Sequence, residues 1–262
     1  QTYLEQMEDI MNLVNPKMSA RDEPWVLERF DRAWNYTHSP RSDSTELNTG
    51  HNAEVVWMWL RLYQLTGKDE YLQHAMDLQE PLYKHGFESR KGVWYHRIGL
   101  DNPSLHNSSV PWWIQAYGNM LSLYMYQHTG QDQFLKAFRR GSEFWNRHFI
   151  DEKYGGAYLS VDLEGNIHKG AKAVRSKTSY HSMEHSLLNY LGSNLWVHEK
   201  PVTLHFSVPL PIAGGKLYPL PLETDAYKIQ RVKINGENWE DFDPAEKFVR
   251  LPAFRDLDIQ VT

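Results

Sequence analysis

The chain has 262 residues, 41% hydrophobic and 13% aromatic, with ten Trp, fifteen Tyr and no Cys, enough to bury a sizeable core. A formal net charge of −5 with interspersed signs leaves no basic stripe for nucleic acid or an anionic membrane, and small or neutral ligands fit better. The lack of cysteine excludes disulfides, thiolate catalysis and Cys-ligated zinc; no apolar run reaches membrane-spanning length and the opening QTYLEQMEDI lacks a signal-peptide pattern, so a soluble, cytoplasmic protein is expected.

In chain order, the first strong signal is "NTGHNAEVVWMWLRLYQLTG". A polar turn, Asn48-Thr49-Gly50, precedes a helix expected over 54–65, with His51 and Glu54 at its head. Thr66-Gly67-Lys68-Asp69 closes that helix, and a second is expected from Glu70 to His85, with Gly86 suited to its C-terminus. "KGVWYHRI" then alternates like a short strand. "VPWWIQAYGN" opens the next helix, with Pro111 at its start. A second helix follows, and "YGGAYLSVD" repeats the strand pattern. A third, weaker unit begins near "SYHSMEHSLLNYL".

These elements repeat. "TGKDEYL" from Thr66 recurs as "TGQDQFL" from Thr129, 63 residues later, and His85 with His148, Gly92 with Gly155 and Tyr95 with Tyr158 keep the same offset. Two helices and a short hairpin per repeat form the building block of the (α/α)6 barrel, in which six hairpins make two concentric rings. Residues 1–197 then hold roughly three units, so a mainly α fold comprising only the C-terminal half of the ring is expected. An open half-ring would expose its inner apolar face, so the missing N-terminal half-barrel is expected on the same or another chain. From Lys200 onward "VTLHFSV", "AYKIQRVKI", "KFVRL" and "LDIQV" alternate, with Asn235-Gly236 at a hairpin tip, which predicts a small antiparallel β appendage over 198–262.

His51 and Glu54 stand three apart and share a helix face, in what the pattern makes the first turn. Helix-start electrostatics alone would explain Glu54 there. A second turn, Tyr180-His181-Ser182-Met183-Glu184-His185, repeats the His-plus-Glu spacing on another inner-type helix. Two such turns on neighbouring helices would face one pocket. Trp112, Trp113 and Gln115 add aromatic faces suited to stacking on sugar rings, one tryptophan expected in the site and the other in the core. His181, Glu184 and His185 also fit an H-x-x-E-H zinc pattern, but no third ligand accompanies them and no metal is expected.

At "GHNAEVVWMWLRLYQLTG", "WWIQAYGNMLSLYMYQHTG", "RHFIDEKYGGAYLSVDLEGN" and the turn from Lys177 to His181, the sequence resembles the N-acylglucosamine 2-epimerase superfamily, which includes cellobiose 2-epimerases and mannose isomerases. The resemblance implies a carbohydrate epimerase or aldose–ketose isomerase that removes the proton beside the sugar carbonyl, passes through an enediolate and returns it. It implies His51 and His181 as the acid/base pair and Glu54 as the carboxylate orienting the first histidine, with no cofactor. Trp112, Trp113, Gln115, Tyr117, Lys177, Tyr180, Glu184 and His185 are the expected substrate-binding set, and a homo-oligomer is a possible assembly. Three positions depart from the family pattern: Tyr117 where it has glutamate, Ser176 where it has tryptophan before Lys177, and Glu184 where it has arginine. The alternatives are a glycoside hydrolase or lyase working through Glu54 and Glu184, or a non-catalytic carbohydrate-binding member.

Overall fold

The computed structural model describes residues 2–18, 24–37, 46–102, 104, 106–212, 214–220, 222, 226–253 and 255–262. The chain divides into two compact units, Gln1–Gly192 and Ser193–Thr262.

In the first unit, α1 (Tyr3–Met18) and strand β1 (Glu46–Asn48) precede α2 (Thr49–Thr66) and α3 (Asp69–Gly86). The strands β2 (Phe87–Glu88), β3 (Val93–Trp94), β4 (Arg97–Gly99) and β5 (Ser109–Pro111) lead into α4 (Trp112–Thr129) and α5 (Asp132–His148). Strands β6 (Ser160–Asp162) and β7 (Ile167–Lys169) then precede α6 (Tyr180–Gly192). The repeat seen in the sequence is physical: α2 and α4 both end on a left-handed glycine, Gly67 at φ 68° and Gly130 at φ 66°. A side chain would strain that backbone, so glycine is the residue that turns each hairpin. Gln64 also donates to its repeat partner Gln127 at 3.2 Å.

α4 is apolar nearly all round and buried from Trp112 to Met125 apart from Trp113, whereas α5 buries one face through Phe134, Phe138, Phe144 and Trp145. That contrast makes α4 an inner helix and α5 an outer one. α2 packs against α3 and α4, and α4 against α5 and α6. The three helices whose first turns carry the candidate residues therefore lie side by side in the order α2–α4–α6.

The expected helix over 54–65 begins earlier than its apolar pattern. Asn48 caps α2 by accepting from the amides of Gly50 at 3.1 Å and His51 at 3.3 Å, so the supposed turn is the first turn of the helix. Glu54 consequently lies in the second turn, and no acidic residue occupies the first. The helix-start explanation of Glu54 falls with that correction. The loop strands also pair differently from a single hairpin per repeat. β2 pairs with β3, β4 with β1, and β5 with β6, which in turn pairs with β7.

The second unit opens with a wide helical turn, Ser193–Val197, whose bonds run on to His198 and Lys200. It continues through β8 (Leu204–Val208), β9 (Lys216–Leu217), β10 (Val232–Ile234), β11 (Glu237–Trp239), β12 (Phe242–Asp243), β13 (Phe248–Arg250) and β14 (Leu257–Val261). Its sheets run β11-β10-β14-β8 and β12-β13-β9. The Asn235-Gly236 tip joins β10 to β11 with φ of 52° and 87°, the paired positive angles a tight hairpin requires. Val232, Ile234, Val249, Leu257, Ile259 and Val261 make its core.

Candidate active site

The site is built where the first turns of α2, α4 and α6 meet. Trp113, partly buried in the first turn of α4, is its centre. His51 from α2 lies on one side at a ring-centroid distance of 4.9 Å, and His181 from α6 on the other at 6.2 Å. Tyr117, one turn along α4, contacts His181 at 5.3 Å and Trp113 at 6.4 Å. Its hydroxyl donates to Glu184 at 3.1 Å, and Tyr180 donates to the other oxygen of Glu184 at 3.2 Å. Glu54 completes the group, 3.9 Å from Nε2 of His51.

The two histidines sit in opposite electrostatic settings. A hydrogen bond to Glu28 raises the pKa of His51 above that of free imidazole, against a smaller effect of burial, with the charges of Glu28 and Glu54 adding to the rise. Burial lowers the pKa of His181, and its Nδ1 is enclosed without a hydrogen-bond partner. At neutral pH one ring is therefore biased toward the charged form and the other toward the neutral form. Burial also raises the pKa of Glu54, which the charge of Glu184 reinforces and His51 and Tyr117 oppose. Burial raises Tyr117 as well, keeping its hydroxyl a donor.

Not every expected residue reaches this site. Trp112 is 4% exposed and packs with Val110, Phe144, Trp145 and Phe149, so it is the core tryptophan of the pair, touching the site only through the His181 ring 5.9 Å away. Gln115 is fully enclosed: its oxygen accepts from the Trp94 amide at 3.1 Å, and its nitrogen donates to the Gly92 carbonyl at 2.8 Å. His185 is buried against Trp145, with Asn189 and Asn119 on its Nε2 at 2.7 and 3.3 Å. Lys177 donates to the carbonyl of Lys172 at 3.1 Å and covers the Trp112 ring at 5.0 Å. These four belong to the wall: each is buried, Gln115, Lys177 and Nε2 of His185 bond to local partners, and Nε1 of Trp112 and Nδ1 of His185 are enclosed without one. Among the described residues no group of three or more His, Cys, Asp or Glu is placed to hold a metal ion.

Two residues escaped the sequence reading. Glu28, from the extended segment before α2, contacts Nδ1 of His51 with Oε1, and its Oε2 lies 3.5 Å from Arg97 on β4. Burial works against charge on Glu28, but the bond from His51 and the charges of His51 and Arg97 outweigh it and hold its pKa low. Only the alternation in "KGVWYHRI" pointed toward Arg97, and nothing local singled out Glu28.

A row of buried helices with histidines and aromatic rings at their mouths is the architecture of a helical-hairpin protein with a polar, aromatic-lined site. The chain belongs to the N-acylglucosamine 2-epimerase (GlcNAc 2-epimerase) family, whose model matches residues 1–184. It is similar to a D-mannose isomerase of Marinomonas mediterranea, 27% identical over 135 residues that cover 51% of this chain and 34% of that protein. A cellobiose 2-epimerase of Ruminococcus albus is 25% identical over 163 residues, covering 58% of this chain and 38% of that protein. The solved cellobiose 2-epimerase of Spirochaeta thermophila shares the fold, with a TM-score of 0.63 and 18% identity over 72% of this chain and 46% of that one. The match thus spans less than half the length of each of these relatives. No described helix is long and apolar enough to cross a membrane.

Proposed function

We propose that this protein is a carbohydrate epimerase or aldose–ketose isomerase that moves a proton at the carbon beside a sugar carbonyl, with His51 and His181 as its acid/base pair. One observation carries the reading: two imidazoles flank Trp113 with pKa values pushed in opposite directions. Such a carbon gives up its proton only when a base takes it and the resulting enediolate charge is stabilised. A neutral His181 suits the first task, because burial keeps it unprotonated, and a charged His51 suits the second. The bond from carbon to hydrogen breaks toward His181, its electron pair passes into the enediolate, and His51 supplies a proton to reform the bond. Trp113 offers an apolar face for the C–H side of a sugar ring, while Glu54, Tyr117, Tyr180 and Glu184 offer hydrogen-bonding groups for its hydroxyls.

In this reading α2, α4 and α6 form one arc of an (α/α)6 ring, and further hairpins complete the pocket. Large apolar side chains left open along α6 support it: Met183 is 66% exposed, Tyr190 45% and Leu187 40%. Family membership, and relatives named for epimerising or isomerising sugars, support the substrate class.

The test is incubation in D2O with a panel of aldoses, ketoses and N-acylhexosamines, following the proton beside the carbonyl by NMR. Exchange or epimer formation that disappears in His51→Asn and in His181→Asn is the expected result. Silence across the whole panel, from folded protein in which the hairpins completing the pocket are present, would sink the reading.

A further inference from the structure

We propose that Glu28 is a positioning residue that holds the His51 ring by Nδ1, leaving Nε2 as the nitrogen turned to the substrate, and that Arg97 and Asn52 hold Glu28 in place. The proposal rests on the proton-transfer reading above and assigns which nitrogen of His51 does the work.

Two side chains, His51 and Arg97, meet Glu28 directly, and Asn52 holds the backbone two residues before it. Its Oε1 meets Nδ1 of His51, whereas Nε2 of the same ring is 3.9 Å from the carboxylate of Glu54, beyond hydrogen-bond reach. In imidazole, the bond made by one nitrogen fixes what the other can do, so a carboxylate on Nδ1 frees Nε2 for proton transfer.

The segment carrying Glu28 is clamped to the helix carrying His51. The side chain of Asn52, fully buried and next in sequence to His51, accepts from the amide of Val26 at 2.9 Å and donates to its carbonyl at 3.0 Å. A third bond, from the same amide nitrogen to the Asn48 carbonyl at 2.9 Å, ties the clamp to the helix cap. This two-point hold fixes the register between Glu28 and His51, which their separation in sequence would not.

Arg97 braces the other side. It lies 3.5 Å from Glu28 and 3.8 Å from Glu46, and it pairs across the β1–β4 ladder with Asn48, the cap of α2. The charged and titratable groups facing His51 are therefore Glu28, Glu54, Arg97, His96 and His181. Burial pushes His96 down to about 4, so it adds no positive charge at neutral pH, and Arg97 divides its own between two carboxylates. The balance favours an imidazolium held by Nδ1–H. When its Nε2 proton forms the new C–H bond, the enediolate supplies the electron pair and the ring is left neutral, with its remaining proton on Nδ1 toward Glu28. The reverse step returns a proton to Nε2.

The deciding experiment is nitrogen-15 NMR of the histidine rings, with His51 assigned by its loss in His51→Asn. In the unaltered protein, the neutral His51 ring is expected as the Nδ1–H tautomer, titrating above the roughly 6.5 of free imidazole. Glu28→Gln should move that titration down toward the free value and slow solvent exchange into the sugar on the order of 100-fold with KM little changed. Glu28→Asp should restore part of both. An Nε2–H tautomer in the unaltered protein overturns the proposal even if both Glu28 variants misfold, and so does a His51 titration that Glu28→Gln leaves unmoved. Should His51 titrate as expected while no sugar exchanges in any form of the protein, the hold on the ring is supported and the proton-transfer reading fails instead.

Discussion

The ring of His51 rests on the indole of Trp113, centroids 4.9 Å apart with the planes inclined at 38°. The neighbouring Trp112 lies 4% exposed in the core, so two adjacent tryptophans have opposite duties. Trp113→Ala should weaken saccharide binding by about 1 kcal/mol, the size of one aromatic contact, with a smaller loss of stability than at its buried neighbour. Trp112→Ala should cost about 3–5 kcal/mol of folding stability. Calorimetric titration and chemical denaturation on both variants check this, and equal unfolding costs would refute the division.

The opposed shifts of His51 and His181 set a pH profile. In the proposed reaction His181 must be unprotonated to act as base, so activity should be lost as pH falls through its lowered pKa. His51 must be protonated to act as acid, so activity is lost as pH rises through its raised pKa. The expected kcat/KM profile is a plateau across neutral pH, wider than two ordinary imidazoles would allow. A narrow bell centred near the free imidazole value of about 6.5 would contradict it.

Close helix packing places Trp113. A methyl group on Gly50 would come within 2.5 Å of both the Trp113 ring and the Ile114 side chain. Gly50→Ala should therefore cost about 1–3 kcal/mol by overpacking, and should shift Trp113 away from His51. A lowered Tm together with reduced sugar exchange is expected; an unchanged Tm would show that the α2–α4 contact is looser than described.

Buried histidines make the fold sensitive to acid. Burial lowers His185 to about 3 and His128 to about 4. Below the unfolded value of about 6.5 the unfolded chain takes up protons that the native protein refuses, so stability falls with pH from there toward the folded values, by about 1 kcal/mol per pH unit for each residue. His128 packs edge-on against Tyr63, and its enclosed Nε2 makes no hydrogen bond. His128→Phe should thus flatten the acid limb of the stability curve without stranding a partner. Denaturant melts between neutral pH and pH about 4 measure the slope, which would have to stay unchanged for the idea to fail.

The sequence alone determined the repeating hairpins, their Gly67 and Gly130 turns, the Asn235-Gly236 hairpin and the strand-rich final segment. Those features rest on local backbone chemistry and on periodicity, both written in neighbouring residues. It also singled out His51, Glu54, His181 and Glu184, because ionisable groups at the mouths of apolar helices stand out from their surroundings, the Trp112–Trp113 pair by its aromatic faces, and Tyr117 by resemblance to the family. It misread Asn48 as part of a loop, since a capping side chain and a turn residue look alike before the helix boundary is known. Tertiary structure alone separated Trp113 from Trp112, and withdrew Gln115, Lys177 and His185 into the wall. Burial and hydrogen-bond satisfaction are set by groups far along the chain, such as the carbonyl of Gly92 around Gln115 and the ring of Trp145 beside His185. The same holds for Glu28 and Arg97, which reach His51 only because one buried asparagine and one short β-ladder bring three distant stretches of chain to the same place.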